Sequence, residues 1–383
     1  MLLVGGVVVG CSDNDRDGAA GEPARSTTST MSTTGSTGDD TTMTAGASLG
    51  EFPGQPEGVP WPTVEWAEAP WPDGVDKAAV DAATDAAFNG GATERVRAVV
   101  VVHGGAIVYE RYSPNPDDGP SEVMPSYSMA KSVTSAMIGI LVRDGRLDID
   151  EPAAVPEWHE DPDDPRAAIT VRHMLHMATG IPWDDGYLNE GSEMYEMVRS
   201  DDAAGYAAGL HPTADPGERF DYSSGTTTLL ARIIGEEVGG DPDDVRAFLH
   251  EELFDKIGMS PVEIAFDRAG TWQGSYSADT TAQDYARLGL LYLRGGEWDG
   301  EQIVPEQWVE YSRTPSPAEP EYGAHWWLDP RRPGVSYAVG IRGNVITVDP
   351  AHDLVIVQLS TVAGSLPLDH TEAILDAFAA ERA

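Results

Sequence analysis

What most constrains the fold of this chain is where its β-rich runs fall. Val96–Val102 and Ala106–Tyr112 lie early in the compact part of the sequence, and Ser336–Ile341, Val345–Val348 and Leu354–Ser360 lie near its end. Runs of β-branched and apolar residues bounded by Gly, Pro and Asp read as strands. His103-Gly104-Gly105 joins the first two as a hairpin, because adjacent glycines supply the positive φ a tight turn needs. From about 126 to 262 the pattern is helical, broken by Pro, Gly and Asp loops, and a last helix covers about 368–381. No internal repeat of roughly 20–50 residues is visible. The simplest arrangement that buries these runs is one antiparallel sheet assembled from both ends of the chain. Helices flank it, and an all-helical lobe (about 126–262) is inserted; the class is α+β. A site is then expected in the crevice between the two lobes.

Composition narrows the function. The chain has 383 residues, of which 41% are hydrophobic, enough for a large core. Lys plus Arg number 24 against 64 Asp plus Glu, a net charge of −40. Phosphate backbones require clustered cations, so a nucleic-acid partner is not expected. An acidic surface suits export or a salty medium. The single cysteine excludes a disulfide framework and a thiolate zinc site. No metal or cofactor motif is found, and nothing in the sequence specifies an oligomeric state. Only Lys77, Lys131 and Lys256 supply ammonium groups, so each is informative.

The first ten residues are small or apolar. That is too short for a membrane-spanning helix, which needs about 20 residues, but it fits the apolar region of a signal peptide. Val8-Val9-Gly10-Cys11 resembles a bacterial lipobox, in which Cys11 carries lipid. Residues 1–10 thus read as a lipoprotein signal peptide. The usual basic region is missing, which points to a start further upstream. Residues 11–51 are rich in Ser, Thr, Gly and Asp and cannot bury enough surface to offset the entropy of ordering; they read as a tether. Asp13–Gly18 imitates the opening of a calcium loop, but Ala24 stands at the twelfth position, where Glu is required. Residues 52–383 form the folded domain, with Pro53–Pro72 wrapping its surface. The expected location is the cell envelope, with the exported chain held to a membrane by Cys11.

The chemistry centres on Lys131. It lies in Ser128-Met129-Ala130-Lys131, and the chain from there to Leu141 is helix-forming and apolar nearly all round. Ser128 and Lys131 are three residues apart and share a helix face. A serine hydroxyl needs an adjacent base to act as nucleophile, and a desolvated lysine can be that base. By chance a given lysine has serine three places before it about one time in fifteen. An unpaired ammonium in an apolar helix is costly, so its presence asks for a reason. Downstream, Pro216–Asp221 turns into Tyr222-Ser223-Ser224 ahead of an apolar helix; a tyrosine aimed at the pair could relay protons. Gly340-Ile341-Arg342-Gly343-Asn344 separates two strands, and its small residues permit close approach of a substrate, while Arg342 could bind a carboxylate.

Together these segments resemble the penicillin-recognising serine hydrolases, a family of class C β-lactamases, D-Ala-D-Ala peptidases and related esterases and amidases. The resemblance covers roughly residues 75–380. It extends to Ile169–Gly180, Asp284–Gly289 and Trp326-Trp327, and it is greatest to 6-aminohexanoate-dimer hydrolases and their esterase relatives. Those carry Gly-Ile-His-Gly-Gln where this chain has Gly340–Asn344. The resemblance implies a β-lactamase/transpeptidase-like fold and an acyl-enzyme on Ser128, with Lys131 as base and Tyr222 sharing proton transfer. It further implies an oxyanion hole from the backbone N–H groups of Ser128 and Asn344, and substrate contacts from Ser224, Arg342 and Gly343. The Lys-Thr-Gly motif of β-lactam enzymes is absent, which favours a small-molecule ester or amide as substrate. The alternatives are a β-lactamase or D-Ala-D-Ala carboxypeptidase acting on cell-wall substrates, and a non-catalytic binding lipoprotein. The related loop Trp183-Asp184-Asp185-Gly186-Tyr187 receives no roles from sequence. His173 and His176 read as members of a packed helix, Trp158–Asp164 as a solvated loop, and Met174, Met177, Met194 and Met197 as core. No nucleophile elbow accompanies His103-Gly104-Gly105, so an α/β-hydrolase is not expected.

Overall fold

The computed structural model describes residues 49–89, 96–115, 117–361 and 369–380. Its main sheet has six strands: β1 (Val96–His103), β2 (Ala106–Tyr112), β3 (Trp327–Leu328), β4 (Ser336–Gly340), β5 (Asn344–Asp349) and β6 (Leu354–Ser360). Their order is β2-β1-β6-β5-β4-β3, and every neighbouring pair is antiparallel. The two ends of the chain meet at the middle of the sheet, where Val100 of β1 pairs with Val357 of β6. The β1–β2 turn places Gly104 at φ +59° and Gly105 at φ +74°, the conformation that two glycines adopt without steric cost.

Strand side chains alternate between faces, so an unbroken apolar strand must be covered on both. Ala98, Val100 and Val102 of β1 join the core that includes Val355, Val357, Ile346 and the helix Ala282–Leu293. Val99 and Val101 point the other way, into a core with Ile356, Val80 and Phe378. Helices Lys77–Phe88 and Asp369–Ala380 form that second layer. Gly289 sets the spacing of the first layer. A Cβ there would lie 2.5 Å from Val355 Cγ1 and 2.9 Å from Ile346 Cγ2, so only glycine lets the helix backbone sit this close to the sheet.

Between β2 and β3 runs the helical portion, whose main members are Ala130–Arg143, Val171–Leu175, Glu193–Arg199, Ala203–Ala208, Ser224–Val238 and Pro242–Leu249. Every residue from Ala130 to Leu141 is buried, as expected for a helix apolar on all sides. Met174, Met177, Met194 and Met197 are buried in the core. His173 caps its own short helix, its Nδ1 accepting the Thr170 N–H at 3.1 Å. Burial pushes the His176 imidazole down to about 4. The solvated-loop reading of Trp158–Asp164 is corrected at its first residue. Trp158 is fully buried, and its indole N–H donates to the Ala208 carbonyl at 3.0 Å. A single large aromatic beside four acids anchors the loop that local polarity marks as solvent-exposed.

The segment from Leu49 to Trp71 lies along the domain as a strap held by arginines. Arg313 donates to the Leu49 and Gly50 carbonyls, Arg294 to Pro53 and Arg287 to Pro62. Ala67 and Ala69 exchange backbone hydrogen bonds with Ile107. The strap thereby covers part of the exposed edge of β2, which would otherwise present unpaired backbone groups. Among the described residues, no helix is long and apolar enough to cross a membrane.

The close helix–sheet packing at Gly289 gives a first prediction. Gly289→Val should lower unfolding free energy by about 1–3 kcal/mol through overpacking, read as a fall in the urea midpoint; an unchanged midpoint would show that the layer spacing is not set there.

Candidate active site

The nucleophile turn is built before the helix begins. Ser126 is buried, and its N–H donates to Asp279 Oδ1 at 2.8 Å while its hydroxyl lies 2.9 Å from the same oxygen. The Ala278 N–H donates back to Ser126 Oγ at 3.0 Å. Tyr127 follows with φ +45°, a left-handed conformation uncommon for a tyrosine. Such strain persists only where surrounding contacts over-determine it, and it is concentrated at functional sites. The turn Tyr127–Met129 then leads into helix Ala130–Arg143, placing Ser128 half-exposed and Lys131 one turn inside.

Lys131 is 1% exposed. Its ammonium has three protons and the site offers three acceptors: Ser128 Oγ at 3.0 Å, Ser224 Oγ at 2.9 Å and the Ser275 carbonyl at 3.0 Å. The Tyr222 ring centroid lies 4.9 Å from Nζ. Desolvation pushes Lys131 down to about 8, opposed by the Asp185 carboxylate. A lysine titrating near 8 spends a substantial fraction of its time as a neutral amine at mildly basic pH, the state that can take a proton from Ser128.

The second helix of the site, Ser224–Val238, supplies Ser224 at its first position, capped by Ser223, whose side chain accepts from Thr226 N–H. Tyr222 stands just before it, packed against Tyr322 (centroids 6.0 Å) and Trp327 (5.4 Å). His325 closes the floor: Nδ1 lies 3.0 Å from the Leu175 carbonyl, Nε2 lies 3.0 Å from Thr227 Oγ1, and burial pushes it down to about 3. It is therefore a neutral, structural imidazole at physiological pH.

The sheet closes the site from the other side. β3 begins at Trp327, opposite Tyr337, so Ala338–Gly340 of β4 continue beyond its partner on that edge. Gly340 then meets the nucleophile turn: a Cβ there would lie 2.6 Å from the Ser126 carbonyl oxygen and 3.2 Å from Tyr127 Cβ. In the following turn Arg342 has φ +65° and Gly343 φ +90°. The Tyr187 hydroxyl, and then Tyr127, hold the Arg342 guanidinium above its ordinary value. Gly343 is buried and its carbonyl accepts from Gln358 Nε2 at 3.1 Å. Asn344 ties the pieces together, donating from Nδ2 to the Pro125 carbonyl at 2.9 Å and accepting from the Ser360 N–H at 2.7 Å.

The structure therefore brings Ser128, Lys131, Tyr222 and Ser224 together around one ammonium and sets the Gly340–Asn344 turn beside them. The groups that raise the Arg342 guanidinium above its ordinary value are Tyr187 and then Tyr127. Cys11 lies outside the described residues. Sequence reasoning missed the Ser275 carbonyl, which no residue type can signal; it read the small residues of Gly340–Asn344 as room for substrate, whereas at Gly340 the close approach is to the Ser126 carbonyl and Tyr127. It also left Asp185 without a role; its carboxylate accepts the Trp183 indole N–H at 2.8 Å and the Ser224 backbone N–H at 3.3 Å.

Comparison with known proteins places this geometry. The family model for Beta-lactamase matches residues 79–381. The chain belongs to the Beta-lactamase family. It is 29% identical over 293 residues to a 6-aminohexanoate-dimer hydrolase of Paenarthrobacter ureafaciens, covering 69% of this chain and 72% of that protein. A solved structure assigned as a 6-aminohexanoate-dimer hydrolase, from Bacillus anthracis, superposes with TM-score 0.63 at 26% identity over 74% of this chain and 78% of that one. A family VIII carboxylesterase shares the fold, with TM-score 0.63 at 14% identity over 82% of this chain and 99% of that one. At the family level the protein is a Beta-lactamase-family serine hydrolase with esterase- and amidase-like relatives, on the β-lactamase/transpeptidase-like fold.

Within this family frame, Gly340→Ala should push β4 against a backbone oxygen that cannot swing aside. The expected result is a loss of at least about tenfold in kcat/KM together with a fall of about 1–3 kcal/mol in stability read from the urea midpoint, the chain remaining folded; retained activity would mean that the strand end does not shape the site.

Proposed function

We propose that the protein hydrolyses small-molecule esters or amides through an acyl-enzyme on Ser128. The observation that carries this reading is the Lys131 ammonium, buried and bonded at once to Ser128 Oγ, Ser224 Oγ and the Ser275 carbonyl. In the first step neutral Lys131 takes the Ser128 proton as Oγ forms a bond to the acyl carbon, and the carbonyl π pair moves onto oxygen. The tetrahedral species collapses when that pair returns. The bond to the leaving group breaks, and the leaving group takes a proton passed from Lys131 through Tyr222. Water then repeats the sequence with the same base, freeing the acid and restoring Ser128.

The developing oxyanion is assigned to the backbone N–H of Ser128 and a second N–H of the Gly340–Asn344 turn. Sequence points to Asn344 for that donor. The contact of Gly340 with Ser126 and Tyr127 favours Ile341, the residue directly after it, as the competing choice. Arg342 and Gly343 are proposed to flank the substrate with Ser224, Arg342 offering a carboxylate contact. The absence of a Lys-Thr-Gly lysine is the reason for preferring open-chain esters or amides over β-lactams. The relative named 6-aminohexanoate-dimer hydrolase is consistent with amide cleavage here.

Ser128→Ala should reduce ester hydrolysis by more than about a hundredfold without unfolding the chain. Fluorophosphonate should add to Ser128 in the wild type and not in the variant. Because the base must be neutral, kcat/KM should rise with pH through about 8, the value to which Lys131 is pushed. A flat profile across that range, or activity retained in Ser128→Ala, would remove the mechanism. Rapid turnover of a penicillin would move the substrate class to β-lactams.

We further propose that Cys11 anchors the exported domain to a membrane through lipid, the residues between Cys11 and the strap that begins at Leu49 serving as the tether. Labelled palmitate should enter the full-length protein expressed in a bacterium and be absent from Cys11→Ser; equal labelling of both would rule out this anchor.

A further inference from the structure

The loop Trp183–Tyr187 is fastened to the amino end of helix Ser224–Val238 by two contacts. Trp183 packs under Gly225, where a Cβ would lie 2.3 Å from Trp183 Cζ3, so the indole fills the space a side chain would occupy. The same indole donates from Nε1 to Asp185 Oδ1 at 2.8 Å, and that oxygen also accepts the Ser224 N–H at 3.3 Å. Ser224 in turn accepts from Lys131 through its hydroxyl at 2.9 Å. Trp183, Asp185, Ser224, Lys131 and Ser128 thus form one connected chain ending at the nucleophile.

We propose that Asp185 is a positioning residue for the Ser128–Lys131 pair: its carboxylate holds the amino end of helix Ser224–Val238 and is the counter-charge for the ammonium that Lys131 becomes on taking the Ser128 proton. The inference rests on the proposed Ser–Lys mechanism and deepens it.

The surroundings of Lys131 leave this task to one group. From the floor comes His325, neutral at physiological pH, and Tyr322 lies beyond it. From the second helix come hydroxyls, and from the segment near Ser275 a backbone carbonyl. Asp279, on that same side, is committed to Ser126. On the sheet side Arg342, raised by Tyr187 and Tyr127, is a cation and cannot serve as counter-charge, and Tyr222 offers its ring. Of these groups Asp185 is the one whose charge acts on Lys131 against desolvation. The carboxylate sits at the amino terminus of helix Ser224–Val238, bonded to its first N–H at 3.3 Å, the positive end of the helix dipole. Its benefit falls on the step in which Lys131 acquires charge, because a desolvated ammonium without a counter-charge is expensive.

The test uses Asp185→Asn, which keeps an acceptor oxygen for both N–H donors and removes only the charge. The readout is the rate of Ser128 labelling by a neutral fluorophosphonate as a function of pH, so no natural substrate need be known. Loss of the carboxylate should move the midpoint of the rise to lower pH by about one unit. It should also lower the high-pH plateau by about tenfold. Asp185→Glu, which restores charge, should return the midpoint toward wild type, and it serves as the decisive variant if the Asn form does not fold. An Asp185→Asn profile that overlays wild type would overturn the proposal, as would an Asp185→Glu midpoint displaced as far as that of Asn. A carboxylate that only fastens the loop, or only binds a cationic substrate group, predicts that overlay. If the wild type itself shows no rise through pH 8, it is the Ser–Lys mechanism that fails, and the two failures are told apart.

Discussion

A single buried ammonium organises this protein. Taking a lysine out of water costs several kcal/mol unless its protons find acceptors, and Lys131 finds three, each from a different part of the chain. Ser128 comes from the turn before its own helix, Ser224 from the start of a helix nearly a hundred residues on, and Ser275 from the loop that leads toward the sheet-packing helix. The cost of losing any of these contacts couples three segments that are remote in sequence. The same desolvation that makes Lys131 demanding as a structural element makes it useful as a base, because it brings the neutral amine within reach of ordinary pH. Structural demand and chemical usefulness are here one property of one side chain.

The sheet contributes by where it stops. β4 outruns its two-residue partner β3, and the backbone freed by that mismatch is what meets the nucleophile turn at Gly340. Asn344, the residue that opens β5, bonds both to Pro125 ahead of the turn and to Ser360 at the end of β6. The strained Tyr127 is therefore held between Asp279 on one side, acting through Ser126, and the strand end on the other. Because β1 and β6 pair at the middle of the sheet, this clamp forms only when both ends of the chain are in place. A non-local topology of this kind folds slowly, and it also keeps the site from being assembled by a fragment.

How much of this was legible in the sequence follows from what side chains can announce. The five longer strands were readable to within a residue or two: four are runs of β-branched and apolar residues buried on both faces, and β2, an edge strand carrying Glu110 and Arg111, was marked by the glycine turn before it. β3 was not read as a strand, since two aromatic and apolar residues carry no period. Ser128, Lys131, Tyr222 and Ser224 were visible because their chemistry depends on residue type. Ser275 was not, since it acts through a carbonyl that every residue possesses. Asp185 fell between: the loop was noticed, but which of two adjacent aspartates reaches the Ser224 N–H is set by the turn that sends Asp184 to the Gly186 N–H instead. Trp158 was misjudged because its acidic neighbours dominate the local pattern while its own indole is committed to the core.

The distribution of cations gives the composition a physical sense. Nearly all positive charge is arginine, and the buried arginines serve as permanent clamps: Arg287, Arg294 and Arg313 hold strap carbonyls. Arg332 joins Asp329 to Glu372 and Asp376 of the last helix. A guanidinium stays charged at any accessible pH, so it can fasten but cannot accept a proton. Of the lysines, Lys77 and Lys256 pair with surface acids, and only Lys131 is enclosed. In a chain of net charge −40, long-range fields favour the protonated form of any amine, the wrong direction for a base. Placing the lysine inside an apolar helix makes the desolvation of its charge the largest influence on it, while water and salt screen the distant surface acids, and that is what lets burial win. One nearby carboxylate is then enough to steady the charge when it appears, and more would cancel the effect that burial achieves.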